Sequence, residues 1–320
     1  MAIAIRKVAG NQRPRLSVMI TVYNRTEYLA RAIQSVTSQL HTDEVQIEVV
    51  SDAEDAQIKK EIAAVISSCN NPRVSLYQTE KNVGHPEIFN LCIHRARGYW
   101  VHILHDDDWV KPGFYAVLEK GFDAPDVGLV FCRREHLDSN GTVTWTSWEE
   151  REAPGIIPDW IDRIFTMSRI QFSSVIVRRE VYEKAGGFSP RAASAFDWEM
   201  WKRASIQFNA WFDPAILAVC TKNGDAETDK LLQTGQQIAD SRLCIEVTRD
   251  LLPAAVSEPL FRQAMENCAL YALYVARQQV MKGREAWALT NLREGLKCDP
   301  SEEVRLGIMQ LINQIGSSNE

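Results

Sequence analysis

The chain has 320 residues, 45% of them hydrophobic, enough to bury a sizeable core in one large domain or two smaller ones. Its 42 acidic side chains outnumber 36 basic ones, and the formal charge of −6 has the wrong sign for a protein whose main task is to coat nucleic acid. The seven cysteines are scattered singly and never form CxxC, which argues for reduced thiols over a disulfide framework or a zinc site.

No apolar run approaches the ~20 residues that span a bilayer. The opening stretch MAIAIRKVAGNQRPR lacks the apolar centre of a signal peptide, so the expected location is the cytoplasm, with at most peripheral contact at the inner face of a membrane. Residues 1–14 read as an N-terminal arm.

The run LSVMITVYN is rich in β-branched residues and predicts a buried strand. RTEYLARAIQSVTSQL follows as a helix with Leu29, Ala32, Ile33 and Val36 on one face, and Asn24 with Glu27 has the spacing of a capping box. VQIEVVS, AQIKKEIAAVISS and RVSLYQ then read as strand, helix and strand. Pro86 opens a helix through EIFNLCIHRAR that Gly98 closes, and YWVHIL is a fourth strand. This alternation predicts an α/β fold: a mixed, mainly parallel sheet with helices on both faces, Rossmann-like in its logic. In such sheets ligands collect beyond the carboxyl ends of the strands, where this chain carries Asp106, Asp107 and Asp108 in succession.

Further on, VGLVFCRREHLDSNGTVTWTSW predicts two strands around a turn at Ser139–Asn140–Gly141. SSVIVR is another strand, FDWEMWKRAS a helix and AWFDPAILAV an extended segment. From Gln236 the pattern is helical throughout, and ALYALYVARQQVMKGREAWALTNLREGLKCDP has the look of one tetratricopeptide-type helix pair. The expected organisation is a catalytic domain over residues 15–235 and a helical region over 236–320, whose tail offers a surface for homo-oligomers or an acceptor.

Taken alone, the aspartate triplet reads either as a solvated turn or as a site for a hard cation, Mg²⁺ or Mn²⁺, whose charge relieves the mutual repulsion. The order of VMITVYNR, EVVSDAED, KNVGHPEIFNLCIHRARGYWVHILHDDDW, VIVRREVYEKAGGF and FDWEMWKRA resembles the family 2 glycosyltransferases with the A-type nucleotide-sugar fold, over residues 15–225. The resemblance implies an inverting, metal-dependent transferase. It would move a sugar from a nucleotide diphosphate donor, a UDP-sugar, to a hydroxyl of a carbohydrate, lipid-linked or protein acceptor in surface glycan synthesis.

Residue by residue, the resemblance makes Asp52 the partner of the nucleotide base, with Ser51 where the family usually has a first aspartate. Thr21, Val22 and Tyr23 would wall the base pocket, and Asn82, Gly84 and Asn90 would face the nucleotide. The frame of the acidic element stays open. Asp106 and Asp108 alternate and would bind the metal and donor together, whereas the pattern LDxDDW sets His105 at the first acidic position and Asp107 at the metal-binding one. Asp197 corresponds to the catalytic base, with Phe196 in place of a Glu. A helix cap is its plain alternative, and Glu199 is the second candidate for the base.

The GGF motif at 186–188 matches the acceptor-side loop. Trp198 and Trp201 read as packing residues, while Trp145 and Trp148 are candidates for exposed aromatics. Where relatives carry a His after the last core strand, this chain has Asn223 beside Lys222, which motivates a second reading as a non-catalytic nucleotide-sugar-binding scaffold. A nucleotidyltransferase is disfavoured because TVYNRTEYLARA has no glycine-rich phosphate loop.

Overall fold

Leu16–Val22 is a run of seven buried residues, a pattern that only a strand covered on both faces accommodates. In a computed structural model, which describes residues 3–10, 13–42, 44–221 and 227–317, this run is the central strand β1. The first half then alternates: α1 (Leu29–Thr37), β2 (Val45–Ser51), α2 (Ala56–Ser68), β3 (Val74–Gln78), α3 (Glu87–Arg95) and β4 (Trp100–His105). Next come β5 (Trp109–Val110), α4 (Phe114–Leu118), β6 (Val127–Leu137), β7 (Val143–Thr146), β8 (Gly155–Ile156), α5 (Trp160–Thr166), β9 (Val175–Arg178), α6 (Arg179–Ala185), α7 (Phe196–Ser205) and β10 (Asn209–Thr221).

The sheet runs β3-β2-β1-β4-β9-β6-β10-β5, with β7 beside β6 and β8 beside β10. Pairs among β1 to β4 are parallel, as is β6 with β10, while β9 is antiparallel to both its neighbours. Val18 and Ile20 pack with Leu29, Ala32, Ile33 and Val36 of α1, each larger side chain contributing roughly 1.5–3 kcal/mol by burial. Met19 and Ile103 alternate to the other face, where α3 buries Phe89, Cys92 and Ile93. The expected turn between β6 and β7 is present, held by Asp138, whose carboxylate accepts from the amides of Asn140 and Thr142.

Two local expectations are corrected. Asn24 adopts a left-handed conformation (φ 48°), and α1 begins after Tyr28 with no side-chain cap, so Asn24 and Glu27 form no capping box. Gly98 does not close α3, which ends at Arg95 with Ala96 already extended. Gly98 instead passes the chain against β1: a Cβ there would stand 2.6 Å from the Ser17 nitrogen, and its amide donates to Ser17 Oγ at 2.8 Å.

The chain divides into two compact units. One comprises residues 1–160, 170–189 and 207–222, and the other residues 161–169, 190–206 and 223–320. The second unit adds α8 (Glu227–Thr234), α9 (Gln236–Thr248), α10 (Ala254–Met281), α11 (Glu285–Leu296) and α12 (Glu302–Ser317). Gly295 of α11 meets Ala272 of α10 so closely that a Cβ would lie 2.8 Å from the Ala272 methyl, so small residues let these two helices approach. Among the described residues no helix is long and apolar enough to cross a membrane.

Candidate active site

Strand β4 ends at His105, and the Asp106 amide still donates to Thr21 O of β1 (3.0 Å), so the triplet starts at the carboxyl rim of two adjacent parallel strands. A turn closed by the Asp108 amide on His105 O (3.2 Å) then swings Asp107 and Asp108 back beside His105. One ligand atom from each of His105, Asp107 and Asp108 lies within 4.8 Å of the others. Strand alternation would have paired Asp106 with Asp108, but the turn breaks the alternation.

Asp106 faces a different partner. Arg25, just past β1, donates to both its oxygens at 2.7 and 2.8 Å and reaches Asp107 Oδ2 at 2.8 Å. Arg31 donates to Asp107 O (3.2 Å) with its guanidinium 3.6 Å over the Trp109 ring. Thr221, at the end of β10, fixes the far side: its hydroxyl donates to Asp107 O at 2.7 Å and its amide to Asp108 Oδ1 at 3.2 Å.

Burial dominates the electrostatics. It pushes the Asp106 carboxyl up to about 6 despite Arg25, and burial with the neighbouring Asp107 charge pushes Asp108 up to about 8. His105, between the rings of Phe89 and Phe172, is pushed down to about 4 by burial and is a neutral imidazole. Its Nε2 is buried without a hydrogen-bond partner among the described residues. A neutral imidazole nitrogen and two carboxylates form a donor set that fits Mn²⁺, and a bound cation would favour the ionised form of Asp108 that burial disfavours.

Asp52 is buried at the end of β2, its amide donating to Val22 O (3.0 Å). Its carboxylate accepts from the amides of Val83 (2.8 Å) and Gly84 (3.0 Å) and from Thr79 Oγ1 (3.2 Å). It therefore gathers the Asn82–Gly84 loop to the β1 end, with Gly84 at φ +71° and the Asn82 amide on Glu54 at 3.2 Å. Thr21 and Val22 are buried, and Tyr23 stands 49% exposed at the rim. Asn90 is buried with both ends of its amide engaged: Nδ2 donates to Phe188 O (2.9 Å) and Oδ1 accepts from the Phe188 amide (2.8 Å). It anchors the GGF loop.

The sequence matches the family described as Glycosyl transferase family 2 over residues 17–187. The chain belongs to that family. An uncharacterized glycosyltransferase of Nostoc sp. (strain PCC 7120) is 28% identical over 197 residues, and the match spans 60% of this chain but only 58% of that protein. Among solved structures, S. aureus TarS 1–349 in complex with UDP-GlcNAc superposes with a TM-score of 0.65 at 15% identity, covering 95% of this chain and 91% of that one. The mannosyltransferase PcManGT of Pyrobaculum calidifontis, in complex with GDP-Man and Mn²⁺, gives a TM-score of 0.56 at 16% identity, covering 91% and 88%. The fold is thus the A-type glycosyltransferase fold with a helical C-terminal region.

In this family 2 member the matched span ends before Asp197. Asp197 is the second residue of α7, half-buried, with Oδ1 accepting from the Trp198 amide at 2.6 Å; Ala195 holds the cap position, so the plain N-cap reading of Asp197 fails. Glu199 is fully buried between Arg203 (2.8 Å) and Arg191 (2.6 Å), a structural ion cluster. Trp198 and Trp201 are buried, and the Trp198 indole donates to Ile164 O (2.6 Å). Trp148 is 47% exposed and meets Trp145 edge to face. Asn223 and Lys222 lie outside the described residues.

Arg25, Thr221 and the nitrogen donor of His105 are the site features that sequence reading missed. The signal for Arg25 was present: three adjacent carboxylates demand a cation, and YNRTEY supplies one at the end of the neighbouring strand.

Proposed function

We propose that this family member transfers a sugar, with inversion, from a UDP-sugar to an acceptor hydroxyl in glycan or glycoconjugate synthesis. The observation that carries the reading is the convergence of His105, Asp107 and Asp108 at the rim where β1 and β4 end, beside the loop gathered by Asp52. TarS with UDP-GlcNAc and PcManGT with GDP-Man and Mn²⁺ support a nucleotide-sugar donor and a divalent ion.

We assign the cation to Asp107 and Asp108 with His105 as third donor, in preference to the Asp106–Asp108 pair, because Arg25 engages both oxygens of Asp106. When bound, the ion would supply Lewis-acid stabilisation to charge gathering on the departing diphosphate. Arg25 adds a fixed positive charge at the same rim. Asp52 orders the loop that receives the nucleotide and offers its one remaining lone pair, on Oδ2, to a base N–H. Thr21, Val22 and Tyr23 form the adjoining wall. Asp197 takes the acceptor proton and works by placement.

The test is UDP release from a panel of UDP-sugars with Mn²⁺, with and without candidate acceptors. Release that requires Mn²⁺ and disappears in Asp107→Asn and Asp108→Asn is expected. Nucleotide binding with no release from any donor would instead favour a non-catalytic scaffold.

A further inference from the structure

A cavity in the first unit lies away from the triplet. It holds about 560 Å³ and opens at the other end of β4, around Tyr99 and Trp100. Trp100 precedes Asp106 by six residues, so at about 3.3 Å per strand residue the cavity stands about 20 Å from the aspartates. The geometry points to a second binding site here, for a ligand that carries a diphosphate or phosphodiester group beside a ring.

The charge around this cavity is unbalanced. Two of its three carboxylates are used by neighbours on α6, Glu180 by Lys184 (2.8 Å) and Glu183 by Arg179 (3.1 Å). Arg179 is also occupied by the carbonyls of Ile93, Ala96 and Arg6, so it is wall and not ligand. Lys7, Arg13, Arg15 and Arg178 remain; Lys7 and Arg178 also lie near enough to Glu180 to lower its carboxyl, and Asp123 is the third lining carboxylate.

These four have donors to spare. Lys7 is exposed and makes no hydrogen bond or ion pair among the described residues. Arg15 meets Glu119 only at 4.0 Å and is 48% exposed. Arg13 uses Nε and Nη2 on the Arg97 and Gly98 carbonyls (both 2.8 Å), which orients the fork and leaves Nη1. Arg178 gives one N–H to Phe122 O (2.9 Å). Like charges gathered at one opening repel unless an anion joins them, and guanidinium forks match phosphoryl oxygens in pairs. Six cationic side chains against three carboxylates in the lining leave an excess of three positive charges, closer to a diphosphate than to a single carboxylate ligand.

The walls add a second feature. The Tyr99 ring is 45% exposed with the Arg13 guanidinium 4.5 Å from its centroid, and Trp100 stacks on Phe122 at 4.1 Å beneath Arg178. A sugar or base attached to the phosphate would find an aromatic edge next to the cations. The volume exceeds what a lone phosphate fills.

The test uses the full chain in EDTA, so that no divalent ion recruits phosphate to the triplet, and titrates inorganic pyrophosphate by calorimetry. One equivalent should bind. The Lys7→Gln/Arg15→Gln double variant should bind about tenfold more weakly or worse, while Lys7→Arg/Arg15→Lys retains binding. The affinity of every variant for UDP with Mn²⁺, which reads the other rim, should be unchanged. Flotation with vesicles of phosphatidylglycerol, compared with phosphatidylcholine alone, identifies the source: selective, Gln-sensitive flotation assigns a lipid headgroup, and pyrophosphate binding without flotation assigns a soluble phosphoester. Absence of both, or binding that the Gln variant leaves intact, overturns the proposal.

Discussion

Arg25 grips Asp106 through two parallel hydrogen bonds of 2.7 and 2.8 Å across 81 residues of chain, and its second contact, on Asp107 at 2.8 Å, makes one guanidinium the local counter-charge for two of three adjacent carboxylates. The repulsion in HDDDW is thus met in part by protein charge, before any metal is considered.

Arg25→Ala should therefore destabilise the metal-free protein. The pair is about one-third exposed on the arginine side, so solvent screening reduces the loss to about 1–2 kcal/mol, below the 3–5 typical of fully buried pairs. The same change removes a positive charge from the rim, so Mn²⁺ should raise the thermal midpoint more in the variant than in the parent. Equal Mn²⁺ shifts in the two proteins would show that Arg25 and the cation do not share these carboxylates.

The raised carboxyls give the proposed cation site a pH dependence. An unfolded Asp titrates near 3.9, whereas Asp108 in the fold is held up to about 8 and Asp106 to about 6 by burial. Between about pH 4 and 8 the unfolded chain has released protons that the fold retains, so metal-free stability falls as pH rises through that window. A cation competes with those protons. Mn²⁺ affinity should therefore increase from pH 6 to 8, by up to about tenfold per unit for each proton displaced, as calorimetry at successive pH values will show. A flat profile would move the cation away from Asp108.

Asp197→Asn keeps the size and the bond to the Trp198 amide but removes the basic oxygen. Donor binding should persist while transfer falls by about 10²–10⁴. A transfer rate equal to that of the parent would return Asp197 to a structural role on α7.

The first four strands were legible because buried parallel strands read as unbroken apolar runs, punctuated by Gly and Pro. Two-residue pieces such as β5 and β8 carry no such signal. Nor does the insertion of β9 between β4 and β6, which depends on pairing between distant segments. At the site, placement on the rim followed from the β-to-α alternation, but the division of labour among the aspartates did not. Local alternation predicts Asp106 beside Asp108, and the turn that joins Asp107 and Asp108 to His105 is fixed by Thr221, 113 residues beyond Asp108. Asn90 and Asp52 were placed near the nucleotide by resemblance, and each also holds a loop in position through backbone hydrogen bonds.

His102 carries a separate pH signature. It is fully buried on β4 against the Phe114 ring, with Nδ1 3.0 Å from Tyr115 Oη, and burial pushes it down to about 3. An unfolded His titrates near 6.5, so as pH falls below that value the unfolded chain takes up a proton that the fold refuses. Its contribution is complete above about pH 6.5 and is lost toward pH 3, with a slope of up to about 1.4 kcal/mol per unit. In urea unfolding at pH 7.5, 6 and 5, His102→Gln should show the smaller acid-side loss; identical slopes would mean that other groups carry it.

The contact between Asn90 and the GGF loop makes a prediction that separates scaffold from ligand binding. Asn90→Ala removes the two hydrogen bonds that hold the Phe188 amide and carbonyl in a buried setting, at a cost of about 1–3 kcal/mol for each group left unsatisfied. Gly187→Ala alone should also destabilise, because its Cβ would fall 2.3 Å from Asn90 Oδ1. Combining the two removes the clash along with the bonds, so the double variant should lose less than the sum of the single losses, a coupling of about 0.5–3 kcal/mol for groups in contact. Chemical denaturation of the four proteins measures it. If Asn90 serves the nucleotide alone, Asn90→Ala will weaken UDP binding with stability intact and the cycle will be additive; if it anchors the loop, stability will move first and the coupling will appear.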